Sequence, residues 1–225
     1  RDEDLAIQTQ FHIAESYFEL FKSHLKLEHE EDAQADLSLG RRVLREVRED
    51  YPQPRYAPRI AYLLGQFAQE MKEWDEAIVA YKSIVRGYPE HKLAPDAQYK
   101  LGQCYEQAEQ LDEALESYVT LAATYPKSPL IANVMLRINE HFYNQEDYPV
   151  AASVGVKFLE KFPSHEWTPK MGFRIGQCHY KDESYEAAGT AFDEFVKRFP
   201  EEELTAKALF WAGESYRMKN DVPNA

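Results

Sequence analysis

Apolar residues recur along this chain at helical spacing, in short runs separated by polar breaks. From Pro95 to Ala108 the apolar positions are Ala97, Leu101, Cys104, Tyr105 and Ala108, one side of a helix in steps of three and four. From Glu113 to Thr124 they are Ala114, Leu115, Tyr118, Leu121 and Ala122, a second helix of the same kind. Pro95 suits the first turn of the first helix, where its missing N–H leaves nothing unpaired. Asp112 marks the break, because a carboxylate near a helix start accepts backbone N–H groups and favours the dipole. Tyr125-Pro126 closes the second helix, since the residue before proline avoids helical geometry.

The two-helix unit is a repeat. Aromatic-proline pairs fall at Tyr51-Pro52, Tyr88-Pro89, Tyr125-Pro126, Phe162-Pro163 and Phe199-Pro200, every interval 37 residues. Other columns keep the same period. Gly65, Gly102, Gly176 and Gly213 share one, with Asn139 in the glycine position of the remaining copy. Ala77, Ala114, Ala151, Ala188 and Ala225 share a second; Tyr81, Tyr118 and Phe192 share a third, interrupted by Gly155. Pro58, Pro95 and Pro169 open first helices, and Asp75, Asp112, Asp147 or Asp182-Glu183 marks the break. Glycine inside a helix costs about 1 kcal/mol relative to alanine, so its column needs a reason. The expected reason is close approach, a side chain there holding the paired helices apart.

Leu101-Gly102-x-x-Tyr105, Ala114-x-x-x-Tyr118 and Pro126 together resemble the tetratricopeptide repeat. The pattern returns as Leu64-Gly65, Ala77, Tyr81, Pro89 and as Ile175-Gly176, Ala188, Phe192, Pro200, and covers residues 37–225. The common repeat is about 34 residues long; here three more lie between the proline and the next glycine. In this longer spacing the chain is similar to repeats of bacterial envelope proteins, such as the outer-membrane lipoprotein that assists barrel assembly and the periplasmic coordinator of the Tol system. The resemblance implies an all-α fold, a right-handed superhelical solenoid of helical hairpins. It also implies a periplasmic or outer-membrane-associated setting.

The ends depart from the pattern. Residues 1–52 are expected to form a divergent, extended helix pair, its first helix running from Leu5 to about Leu27 and its second carrying Gly40 and Leu44. Residues 53–225 are expected to hold about four full repeats and a trailing first helix. Val222-Pro223-Asn224-Ala225 aligns with Tyr148-Pro149-Val150-Ala151, where a second helix begins, so the repeats are expected to run on beyond Ala225. The chain starts at Arg1 with no apolar leader after it, and trimming of a targeting segment is expected.

Charge narrows the partners. With 39 acidic and 26 basic residues the net charge is −13, which disfavours sequence-independent nucleic-acid binding and docking on anionic lipid. No apolar stretch reaches the ~20 residues of a membrane-spanning helix, so direct membrane insertion is not expected. No cofactor is expected, as no glycine-rich phosphate loop is visible. The His spacings offer no metal site: His24 and His29 are five apart and no H-E-x-x-H occurs. Cys104 and Cys178, two periods apart, read as small buried core residues rather than a disulfide. No nucleophile–base arrangement stands out, and the chain reads as no enzyme.

What remains is a binding surface. In the family it resembles, first helices line a concave groove. Counting from the glycine column, the positions three before and one after it place Tyr62, Gln66, Tyr99, Gln103, Glu140, Phe173 and Gln177 there, with Lys100, Arg137, Lys170 and Arg174 beside them. Leu136, Phe210 and Glu214 fall in the same columns. Rings give contact area, and Gln can pair with peptide amides. The clamp by which chaperone-binding relatives hold a terminal carboxylate needs Lys where Tyr62, Tyr99 and Phe173 stand, so that ligand is not expected. The expectation is a scaffold or adaptor that binds a protein or peptide segment. A self-assembling module forming homo-oligomers, and a substrate-recruiting domain of a larger enzyme, fit the same pattern.

Overall fold

A computed structural model describes residues 2–50 and 55–221. Among them are eleven helices: α1 (Asp2–Lys26), α2 (Glu30–Asp50), α3 (Ala57–Glu70), α4 (Trp74–Gly87), α5 (Ala94–Gln107), α6 (Leu111–Thr124), α7 (Ile131–Asn144), α8 (Tyr148–Lys161), α9 (Thr168–Lys181), α10 (Tyr185–Arg198) and α11 (Thr205–Asp221). No strand is present among the described residues. The protein is an all-α helical repeat of hairpins. The expected Tyr51-Pro52 marker, the boundary at residue 52 and the motif Val222–Ala225 lie outside the described residues. The chain forms two compact units, Arg1–Leu121 and Ala122–Ala225.

Helices α3 to α10 are each 14 residues long, as a strict 37-residue period demands. Pro58, Pro95 and Pro169 fall in the first turns of α3, α5 and α9. Tyr88, Phe162 and Phe199 cap the C-termini of α4, α8 and α10 with non-helical backbone, as the following proline requires. The carbonyls of Phe162 and Phe199 then accept hydrogen bonds from the Thr168 and Thr205 hydroxyls at 2.6 Å, fixing the start of the next helix.

The Asp residues stand at the breaks as expected, but the turn itself is made mostly by other residues. Asp75 and Asp112 lie within the first turns of α4 and α6, and Asp182 caps the C-terminus of α9. Asp147 alone of these four is seen to cap the next helix, accepting the Val150 N–H at 3.4 Å. The turn itself is made by Lys72, Glu109, Glu146 and Glu183, which adopt left-handed backbone with φ of 58° to 62°. The N–H of each of these residues bonds a carbonyl three residues back, and that of the next residue bonds one five back. Glu109 N to Glu106 O at 3.1 Å and Gln110 N to Tyr105 O at 2.9 Å are one such pair. This is the Schellman ending of a helix, which satisfies carbonyls that would otherwise be orphaned. It uses Glu or Lys where glycine is usual.

The glycine column has the expected cause. A Cβ on Gly65 would sit 2.7 Å from the Tyr81 ring, one on Gly102 2.5 Å from Tyr118, and one on Gly176 2.6 Å from Phe192. Each ring lies on the partner helix, 16 residues on, and is almost wholly buried. Ala77, Ala114, Ala151 and Ala188 are buried too. At the first pair the rule loosens. Ile7, Phe11 and Phe18 of α1, Leu37 and Leu44 of α2, and Ile60 and Phe67 of α3 share one core, and Phe67 fills the space left by Gly40. With 25 and 21 residues, α1 and α2 are long enough to bury this larger set. Beside it, Arg41 pairs with Glu73.

Candidate functional site

The anticipated groove residues fall into two sets, one in each compact unit. In the first, Tyr62 and Gln66 lie on α3 and Tyr99, Lys100 and Gln103 on α5, all half-buried. Helical spacing decides this: three residues before the glycine is the same side of the helix, displaced one turn. Tyr62 meets Tyr81 edge-on at 5.7 Å, and Tyr99 meets Tyr118 at 5.7 Å. The ring that fills the glycine notch thus supports a second, outer ring. Burial pushes the Tyr62 phenol above its usual range, with the Asp96 carboxylate adding to the rise. It stays neutral and available as a hydrogen-bond donor.

In the second unit, α7 carries Arg137 and Glu140, paired at 3.5 Å, and α9 carries Lys170, Phe173, Arg174 and Gln177. Phe173 departs from the sequence reading. It is 7% exposed and packs on Phe192 at 5.3 Å and Phe195 at 5.8 Å, so it belongs to the core and presents no ring to a ligand. Where Tyr62 and Tyr99 only lean on the inner ring, Phe173 has two aromatic neighbours and is enclosed by them. Arg174 is half-buried, its guanidinium 4.2 Å above the Tyr143 ring. Lys170 is exposed, 5.5 Å over the ring of Trp167.

Column counting overlooked an aromatic cluster in this unit. Tyr180 of α9 meets Trp211 of α11 edge-on at 4.9 Å and Tyr185 at 5.4 Å. A cleft of about 60 Å³ opens between Tyr143, Gln177, Tyr180, Lys181, Phe192 and Trp211. A signal was present, since Tyr143 and Tyr180 are one period apart and Trp211 is one period after Arg174. Trp211 on Tyr180 is the counterpart of Arg174 on Tyr143.

The two thiols are core groups. Cys104 and Cys178 are free and buried. Burial pushes the Cys104 thiol up to about 12 against the pull of Lys100, and the Cys178 thiol up to about 11 against that of Arg174. Both are neutral and unreactive at ordinary pH. Among the described residues no group of three His, Cys, Asp or Glu side chains is placed to hold a metal, and no helix is long and apolar enough to cross a membrane.

Comparison with known proteins agrees with this architecture. One tetratricopeptide-repeat family model matches residues 68–138 and another matches residues 173–225. No curated protein matches the sequence. Among solved structures, a tetratricopeptide repeat protein from Parabacteroides merdae is similar over 93% of this chain and 77% of its own, with 16% identity and a TM-score of 0.61. The C-terminal part of a repeat-containing protein from Cytophaga hutchinsonii matches over 94% and 72%, with 15% identity and a TM-score of 0.62. The apo form of RapI matches over 92% and 81%, with 14% identity and a TM-score of 0.63. At such identities the likeness is one of fold.

Proposed function

Because this chain is a tetratricopeptide-repeat protein, we propose that it is a non-enzymatic scaffold that holds a segment of another polypeptide on the exposed sides of its first helices. Repeats of this family generally mediate protein–protein interaction. The observation that carries the reading is the layering at Tyr62 and Tyr99. Each outer ring is half-exposed yet held in place by a buried one, beside an unburied amide at Gln66 or Gln103. A rigid aromatic platform with an amide next to it contributes contact area at little entropic cost and pairs with peptide backbone. Tyr62→Ala combined with Tyr99→Ala should weaken partner binding at least tenfold while circular dichroism shows the helical signal retained. Full affinity in that variant would defeat the assignment.

The setting we propose, an assembly of the bacterial envelope, is supported by the 37-residue spacing and its longer inter-repeat loop; finding the full-length protein in the cytoplasmic fraction alone would refute it. A second reading, self-assembly, is favoured by one observation. On α11, Leu209 and Phe210 are 56% and 65% exposed, and a Cβ built on Gly213 would meet no described side chain or other helix within 4 Å. Sedimentation that stays monomeric from micromolar to submillimolar concentration would remove that reading.

A further inference from the structure

Lys170, Arg174, Gln177 and Lys181 follow one another along α9 at steps of four, three and four, which sets them in one stripe on the helix. In a chain of net charge −13 this stripe is basic. None of its three cations has a carboxylate partner among the described residues, whereas Arg137, Lys219 and Arg217 do. Lys170 and Arg174 are instead held against rings, which fixes them without neutralising them. The Tyr180–Trp211 cleft opens beside Gln177 and Lys181.

We propose that this stripe is the docking line for an acidic segment of a partner protein, extended along α9 with one aliphatic side chain in the aromatic cleft. The inference rests on the scaffold reading above and names its partner class for the second unit. From Lys170 to Lys181 the helix rises roughly 16 Å, the length of about five extended residues. A segment of that size with side-chain carboxylates at alternate positions meets Lys170, Arg174 and Lys181 in turn. The Gln177 amide lies where it can pair with the segment's backbone. The cleft has room for the tip of a Leu or Val side chain, and its rings give the contact that charge alone lacks. A terminal carboxylate is not required, because the cations are spread along the helix rather than gathered at one point.

The test uses the full chain and nonapeptides acetylated at the N-terminus and amidated at the C-terminus, so that no terminal charge contributes. One peptide has Asp and Glu around a central Leu, a second has Lys in place of the acids, and a third is an uncharged degenerate pool. Peptide anisotropy reports binding, with tryptophan emission, to which Trp167 and Trp211 beside the stripe contribute, as a second readout. The acidic peptide should bind, the Lys peptide should not, and raising salt from 50 to 300 mM should weaken binding roughly tenfold as the charges are screened. Arg174→Glu should weaken it about tenfold, and Lys170→Glu with Lys181→Glu should reduce it below detection. These residues lie on the surface or against single rings, so circular dichroism should show the variants folded. Replacing the central Leu by Gly tests the cleft without altering the protein and should cost about fivefold.

Equal binding of acidic and Lys peptides, or an unchanged affinity in Arg174→Glu, overturns the proposal. If the uncharged pool binds and Tyr99→Ala weakens it while the acidic peptide shows no preference, the scaffold reading stands and the acidic partner falls. If no peptide binds at all, both fall together.

Discussion

Two hairpins of this molecule solve one packing problem with opposite residues. In α5/α6 the first helix supplies Gly102 and the second supplies Tyr118, whose ring fills the notch. In α7/α8 the first helix supplies Asn139 and the second supplies Gly155, sixteen residues on as before. With no ring arriving from position 155, the Asn139 side chain occupies the space itself. It is 3% exposed and donates its amide to the Ala151 carbonyl at 2.7 Å, so the buried polar group is satisfied. Ile175 of the next helix closes over Gly155 at 2.7 Å from where a Cβ would stand. What the two hairpins share is a filled contact, not the residue type at either position: Tyr118 alone fills it in α5/α6, whereas Asn139 and Ile175 are both drawn in around Gly155 in α7/α8. Dense packing leaves little room for a gap at either place.

The largest effect that can break this comparison is overfilling. Gly102→Leu should lower stability by about 3 kcal/mol or more, because Tyr118 is enclosed and has nowhere to retreat. Thermal unfolding followed by circular dichroism checks it, and a wild-type melting curve would refute the close-contact account. A double-mutant cycle sharpens the point. Gly155→Tyr alone should cost about 2 kcal/mol, because the new side chain meets Ile175 and Met171 first, and adding Asn139→Gly should return about 1 kcal/mol of that by giving the ring the place that Tyr118 takes at Gly102. Strict additivity in urea titrations would show that the exchange is not compensatory.

Titration separates the two thiols of the cysteine column. Both have folded-state values above the ordinary 9.0, so the neutral thiol is the form the fold favours. Their stabilising contribution is present below about pH 9 and is lost as pH rises towards about 11 for Cys178 and about 12 for Cys104. Native-state alkylation should therefore be slow at pH 8 and should reach Cys178 first as pH is raised; mass spectrometry of labelled peptides reads the order. Reaction of both within seconds at pH 8 would contradict their burial.

Smaller still is the turn. Glu109 has φ of 59°, a conformation that costs an L-residue roughly 1–2 kcal/mol and glycine almost nothing. Allowing for the greater freedom of glycine in the unfolded chain, Glu109→Gly should raise stability by about 0.5 kcal/mol. A loss in calorimetry would mean that the Glu side chain makes a contribution of its own. Gly213→Leu should have the least effect, within about 0.5 kcal/mol or slightly stabilising, because a Cβ at 213 would meet no described side chain or other helix within 4 Å and leucine is the better helix former. The contrast with Gly102→Leu, at the same column three repeats earlier, tests whether the ring rather than the glycine is what matters.

The sequence made the hairpins legible because period and proline act locally. The 37-residue spacing, Pro58, Pro95 and Pro169 at helix starts, and the aromatic-proline ends are all readable from one copy compared with the next. The breaks are legible, with Asp75 and Asp112 in first turns and Asp147 at a cap, but the turn residues Lys72, Glu109 and Glu146 are not, because a Glu or Lys in left-handed backbone leaves no glycine to reveal it. In the candidate site, Tyr62, Gln66, Tyr99, Gln103, Arg174 and Gln177 could be placed on first helices by counting. Phe173 sits in the same column and is nevertheless buried, because exposure depends on the neighbours that column counting does not see. Tyr143, Tyr180 and Trp211 lie outside the columns counted from the glycine; only their position beside Gln177 and Lys181 marks them as a cleft.

The amino-acid sequence by itself determined the repeat, its helices and the glycine-aromatic complementarity, since each follows from short-range backbone preferences and from a period that copies them. The tertiary structure decided which rings are supports and which are surfaces, how Ile175 closes over Gly155 beside Asn139, and that Lys170 and Arg174 of α9 rest on rings without a carboxylate. Those outcomes depend on which side chains from distant positions reach the same few ångströms, and packing settles that only when all of them are present together.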